Sequence, residues 1–177
     1  MFTYTKVTAD KELSEILDLQ RKNLFQNLSK DDREEHGFVT IKHTLEILKA
    51  MQQACPHTIA KYEGKVVGFA LSMTKDFAND IAVLKPMFDE ISKLVSTEKY
   101  LVMGQICIAK DFRKQGVFRG LYQFMKTVIC LNIFDAILTE IDLKNHSSLK
   151  AHESVGFLQL KDFKNENRSW RIVALKV

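Results

Sequence analysis

The sequence predicts an α/β (α+β) fold, a mixed sheet with helices on its faces. Three observations predict it. Apolar runs with strand character alternate along the chain with stretches whose apolar residues recur at helical spacing. Of the 177 residues, 46% are hydrophobic and 27% charged, which suits a packed core and argues against disorder. Glycine (7) and proline (2) are sparse, and no repeat, linker or composition break divides the chain. Residues 1–177 are therefore expected to form a single domain.

The elements follow in order. Residues 2–7 (FTYTKV) alternate like a short strand, and Asp10 offers a helix cap before the stripe Leu13, Ile16, Leu17 and Leu24. The run SKDDREEH (29–36) reads as a solvated charged stretch. Ile41, Leu45, Leu48 and Met51 form a second helical stripe that stops near Cys55-Pro56. Strands at 57–62 and 65–73 flank Glu63-Gly64, so a hairpin is predicted. Residues 81–95 return to helical spacing, with Pro86 tolerated in a first turn. A strand at 100–109 leads to a helix with Val117, Leu121, Phe124, Val128 and Leu131 on one stripe. A strand at 136–143, a short helix at 147–154 and strands near 157–163 and 169–176 complete the chain.

Composition excludes more than it identifies. The formal charge of +4, from 26 basic and 22 acidic residues, suits an anionic small ligand. It is too diffuse for a nucleic-acid surface, and no partner nucleic acid is expected. No signal peptide, membrane span or lipid anchor is read from the residues, so no membrane association is expected. Cys55, Cys107 and Cys130 show neither a disulfide framework nor a zinc spacing, which predicts a reducing, cytoplasmic setting and no metal.

One segment carries chemistry. In ICIAKDFRKQGVFRGLYQFMK (106–126) an apolar strand ends, a basic turn follows and an amphipathic helix starts at once. The first N–H groups of a helix lack internal partners and carry the positive end of its dipole, so a diphosphate can accept them. Gly116 would allow close backbone approach, and Arg113, Lys114 and Arg119 would add charge, with Gln115 as a further donor. An ordinary strand-to-helix turn with a solvated basic rim is the competing reading. Neither a Walker loop nor a G-x-G-x-x-G fingerprint is present.

Residues 113–118 (Arg113-Lys-Gln-Gly116-Val-Phe118) resemble the acetyl-CoA signature Arg/Gln-x-x-Gly-x-Gly/Ala of the GCN5-related N-acetyltransferases, the GNAT family. Phe118 stands where Gly or Ala is usual. A second stretch, NHSSLKAHESVGF (145–157), is similar to that family's Asn-x-x-Ala-x-x-x-Tyr-x-x-x-Gly-Phe box. Asn145, Gly156 and Phe157 match, Ser148 replaces Ala, and His152 stands where Tyr is common. The element order fits the same family over nearly the whole chain.

The resemblance implies one GNAT-like domain with a mainly antiparallel mixed sheet, acetyl-CoA as co-substrate, and transfer to a small-molecule or peptide amine. A homodimer is common in the family. By the same resemblance Ile106, Cys107 and Ile108 line the pantetheine arm through their backbone. Residues Arg113 to Arg119, including Val117, surround the diphosphate. Asn145 contacts the pantetheine or acceptor, or else caps a helix. His152 is implied as proton donor to the departing thiolate, since an imidazole titrates near ~6.5 and a thiol near ~8.5; a packing histidine is the alternative. YLVMGQ (100–105) lacks the family's strand carboxylate, and Gln105 can orient but not accept a proton. Glu140 and Asp142 share one strand face near where the implied fold brings the acceptor, so Glu140 is the first candidate for general base, directly or through water; two solvent-facing acids, or a water chain in place of a base, are the alternatives. The acceptor pocket is expected from residues 25–44, including Phe25 and Phe38, where Asp31, Asp32, Glu34 and Glu35 either attract a cationic amine or are solvated. The competing function is a non-catalytic CoA-binding or interaction module.

Overall fold

A computed structural model describes residues 1–177. The chain runs β1 (Thr3–Lys6), α1 (Asp10–Lys22), α2 (Lys30–His36), α3 (Leu45–Ala54), β2 (Thr58–Tyr62), β3 (Lys65–Met73), α4 (Lys85–Leu94), β4 (Tyr100–Ile108), α5 (Val117–Phe124), β5 (Ala136–Asp142), α6 (His146–Ser154), β6 (Leu158–Asn165) and β7 (Arg168–Lys176). The strands form one sheet in the order β1-β2-β3-β4-β5-β7-β6. Every pairing is antiparallel except β4 with β5. No helix is long and apolar enough to cross a membrane.

Local chemistry accounts for the boundaries. Glu63 and Gly64 both take positive φ between β2 and β3, as a tight two-residue hairpin requires. Pro86 sits in the first turn of α4, where its missing N–H costs nothing. At α1 the cap differs from expectation. Ala9 is the N-cap and Asp10 the first helical residue, because the Glu12 carboxylate reaches back to the N–H groups of Thr8 (2.6 Å) and Ala9 (3.1 Å). The charged run at 29–36 is a short helix, α2, capped by the Ser29 hydroxyl on the Asp32 N–H (3.1 Å).

The stripe predicted for α5 holds only at its start. Past Phe124 the helix widens into a π turn over Met125–Cys130. A wider turn keeps residues four apart in line, so Leu121, Met125 and Ile129 are buried while Val128 and Leu131 are turned out to solvent.

Two apolar clusters sandwich the sheet. One gathers Leu13, Ile16, Leu48, Met51 and Ile91 from α1, α3 and α4 against Phe69, Leu71 and Val102. The other packs Val117, Leu121 and Tyr122 of α5 on Leu101, Ile137 and Val173. Gly120 lets α5 approach β1: a Cβ there would lie 2.1 Å from the Tyr4 ring.

Two features of β4 create the site. Leu71 faces Gln105 and Ser72 faces Met103, so Gly104 is an extra residue, a β-bulge. The bulge reverses the inward-outward alternation, so Cys107 joins the cluster under α1 and Gln105 reaches Gln20 of that helix. Secondly, β4 pairs with β5 only over Tyr100–Val102 against Ala136–Leu138. Beyond that point the two parallel strands splay, leaving the far half of β4 bonded on one side.

Candidate active site

The splay opens a cavity of about 390 Å³ between the end of β4, the start of α5, the face of α6 and the end of α2. A smaller cavity of about 80 Å³ lies deeper in the wedge, between β4 and β5. The two share Phe38, Val39, Ile106, Asn145 and Ser148 as a common wall.

The larger cavity collects Ile106, Cys107, Ile108, Arg113, Lys114, Gly116, Val117, Phe118, Arg119 and Asn145, all expected to meet a cofactor. Gln115 is the exception: its side-chain amide donates to the Asp111 carbonyl (2.8 Å) and it does not line the cavity. Gly116 caps α5 in the left-handed conformation (φ 82°), and nothing lies within 4 Å of where its Cβ would be. The helix start is thus both open and free of a side chain, a cradle for an anionic group. Phe118 leaves the cradle clear by turning its ring into a cluster with Tyr122 (centroids 5.2 Å) and His152 (5.0 Å).

The basic rim is more structured than expected. Arg113 does not project freely: it donates to the Ile108 carbonyl (3.1 Å) and to Asn23 Oδ1 (2.5 Å), bracing the end of β4 against the end of α1. Arg119 donates to the Ser154 carbonyl of α6 (2.9 Å). Lys110 meets Asp32 (3.1 Å) and Lys114 meets Glu35 (3.5 Å), so these acids of α2 face the basic turn. Neither lines the smaller cavity, while Glu35 borders the larger one.

Asn145 has two structural duties. Its Oδ1 caps α6 on the Ser148 N–H (3.3 Å) and its Nδ2 holds the Phe38 carbonyl (3.0 Å). Gly37, with φ 75°, makes room for it: a Cβ there would stand 2.7 Å from Asn145 Oδ1. Gly37 and Val39 fall within the stretch 25–44 expected to form a pocket, though nothing local singles them out. The segment is placed by strand-like bonds from Phe25 N–H to the Val39 carbonyl (2.9 Å) and from Val39 N–H to the Asn23 carbonyl (3.0 Å).

His152 requires a correction. It is 2% exposed and borders the smaller cavity. Nδ1 lies 2.8 Å from the Ser148 carbonyl, which can only accept, so Nδ1 carries the proton. Nε2 then accepts from the Tyr122 hydroxyl at 2.7 Å. Burial pushes the imidazole down to about 4. The ring is neutral near pH 7 with both nitrogens engaged, so the expected role of proton donor to a thiolate is not one this geometry offers. Its duty is to join α5 to α6.

Glu140 lines the smaller cavity with Asp142, Gln105, Thr139 and Trp170. Burial, aided by the charge of Asp142, pushes the Glu140 carboxyl up to about 8. Asp142 itself is held by the Lys144 N–H (2.9 Å) and Arg168 (3.4 Å). Gln105 is locked by Gln20 Nε2 (2.8 Å) and by donating to the Ile41 carbonyl (2.9 Å), so it fixes the loop before α3 against β4. Glu140 is thus the one carboxyl in this cavity with no hydrogen bond or ion pair of its own. Cys107 lines the larger cavity, but burial pushes its thiol up to about 12. It holds no thiolate at neutral pH.

Comparison with known proteins bears on the family and the fold. The sequence model of the Acetyltransferase (GNAT) family matches residues 13–157. Solved structures of similar fold include a GNAT-family acetyltransferase from Bacillus cereus ATCC 10987 (17% identity, TM-score 0.66, covering 99% of this chain and 97% of that one). The ribosomal-protein-S18-alanine N-acetyltransferase from Escherichia coli is another (15%, 0.64, 99% and 94%). A third is an N-acetyltransferase from Staphylococcus aureus Mu50 (15%, 0.65, 99% and 98%). No curated protein sequence matches the chain.

Proposed function

The chain belongs to the acetyltransferase (GNAT) family, and from that premise we propose that it is an acetyl-CoA-dependent N-acetyltransferase that brings acetyl-CoA and an amine together in one wedge. The observation that carries this reading is the shared wall: an open helix-start cradle continues, through Ile106, Asn145 and Ser148, into a cavity holding an unpaired carboxyl.

Acetyl-CoA would supply the activated acetyl group. The N–H groups at the start of α5 are the donors for its diphosphate, with Lys114 and Arg119 adding charge. The open edge of β4 at Ile106, Cys107 and Ile108 offers main-chain partners to an extended arm, while Arg113 already occupies the Ile108 carbonyl. Asn145 holds the common wall in place from both sides. Glu140 takes the proton from the attacking amine. A carboxyl that titrates near 8 is well matched to that task, because base strength and ionised fraction are both useful close to working pH. With Cys107 held as a thiol, the amine attacks the thioester directly and no acyl-enzyme forms. All three cysteines are free and buried, which supports a reducing, cytoplasmic setting.

The test is release of free CoA thiol from acetyl-CoA in the presence of a panel of small amines and peptides. Amine-dependent release is expected, rising as pH is raised through about 8. Tight CoA binding without release against any amine would favour the non-catalytic module instead.

A further inference from the structure

Beside Phe38 and Trp170, two lining residues of the smaller cavity, lies an arrangement that acetyl transfer by itself does not require. Phe25 and Phe38 meet edge to face at 4.9 Å, and Phe38 lines the cavity. Two guanidinium groups lie over the ring of Phe25, that of Arg33 at 4.1 Å from its centroid and that of Arg168 at 5.6 Å. Arg168 also stands 6.0 Å from the ring of Trp170, another cavity residue. One arginine comes from α2 and the other from the start of β7, so the convergence is made by the fold.

The two cations differ in how they are paired. Arg33 has no ion pair, although its helix neighbours Asp32, Glu34 and Glu35 are paired with Lys110, Lys30 and Lys114. Arg168 meets Asp142 through a single nitrogen at 3.4 Å, leaving most of its donors unused. An aromatic face attracts each cation but does not neutralise it, and two like charges gathered on one ring repel. A planar, forked guanidinium pair is the natural receptor for a carboxylate or phosphate.

We propose that Arg33 and Arg168 clamp an anionic group of the acceptor, so that the amine acetylated here also carries a carboxylate or phosphate. This rests on the acetyltransferase reading above. It also sets a length. Asp142 follows Glu140 by two residues on one strand face, a step of about 7 Å, and Arg168 is anchored on Asp142. Acceptors whose anion is set off from the amine by a short chain, as in an ω-amino acid, are therefore the first to test.

The experiment compares kcat/KM, by thiol release, for γ-aminobutyrate and δ-aminovalerate against their methyl esters and the matching alkylamines. Phosphoethanolamine serves as the phosphate arm, and its rank against the carboxylates tells which anion the clamp prefers. The charged acceptors are expected to exceed the esters by about tenfold or more, the scale of one charge-assisted hydrogen bond. Arg33→Gln is expected to erase that difference, and Arg168→Lys to reduce it. Equal handling of acid and ester, or a difference that survives Arg33→Gln, overturns the clamp. A second readout is independent of turnover. Trp170 is the only tryptophan, so its fluorescence reports titration with N-acetyl-δ-aminovalerate and with its methyl ester. An acid-selective change lost in Arg33→Gln supports the clamp even if no amine is acetylated, in which case the catalytic reading alone fails. No acid-selective change overturns the clamp whether or not acetyl transfer is found.

Discussion

The two cavities share a wall yet are built in opposite ways. The larger takes its defining features from one continuous stretch, from Ile106 on β4 to Arg119 in the first turn of α5, and works through backbone and an open glycine. The smaller is assembled from segments of β4, β5, β7, α6 and the loop after α2 that are distant in the chain, and presents a half-buried carboxyl. A ligand shared by a whole family can be met by backbone groups, which any sequence of the right local shape presents. An acceptor that distinguishes one family member from another must be met by side chains, which only tertiary packing assembles.

That contrast can be broken by substitution, and the largest effect is expected at Glu140. If it is the base, Glu140→Gln lowers kcat/KM about a hundredfold or more while CoA binding is retained. It also changes stability in a direction that depends on pH. The folded carboxyl titrates near 8, above its unfolded value, so the folded state binds more protons in between. Stability is therefore lost as pH rises through that interval. Glu140→Gln removes the loss, so its Tm is expected to exceed that of the parent at pH 9 and to match it near pH 4. A variant that stays active, with Tm unchanged at both pH values, would remove the base from the smaller cavity.

On the other side, Gly116→Val is expected to raise the KM for acetyl-CoA about tenfold with little change in the amine KM. A β-branched residue resists the left-handed backbone at a cost of about 1–2 kcal/mol. No neighbour lies within 4 Å of the new Cβ, so chemical denaturation should show no cost beyond that strain. An equal rise in both KM values would mean that the cradle is not separate from the acceptor side.

Asn145→Ala probes the common wall. It removes a helix cap and the tie to Phe38, a loss of about 1–2 kcal/mol readable in urea, and it should raise both KM values several-fold. Lys114→Ala is the mildest. Its ion pair with Glu35 is exposed on both partners, so stability should change by less than about 0.5 kcal/mol. Any rise in acetyl-CoA KM should shrink with added salt.

Legibility from sequence follows the same division. The turn at 113–116, the hairpin at Glu63-Gly64 and the pairing of Glu140 with Asp142 on one face rest on local geometry and can be read directly. Helix α2 is hidden because seven polar residues carry no apolar period, and its Ser29 cap is a weak signal alone. Val128 and Leu131 are misassigned because a π turn changes the period without any marker residue. His152 does line the smaller cavity, but its state is not legible in the sequence, because it depends on burial among Phe118, Tyr122 and Phe157.

The sequence by itself determined the order of the strands and of every helix but α2, the family resemblance, and the strand-turn-helix at the start of α5, because each depends on residues close together in the chain. Only the tertiary structure decided how each acid is paired. It tied Asp32 and Glu35 to the lysines of the basic turn, engaged Asp142 with Arg168, and left Glu140 half-buried without a partner. The reason is physical: a carboxyl's proton affinity is set by water excluded and charges brought near, and both come from residues far away along the chain.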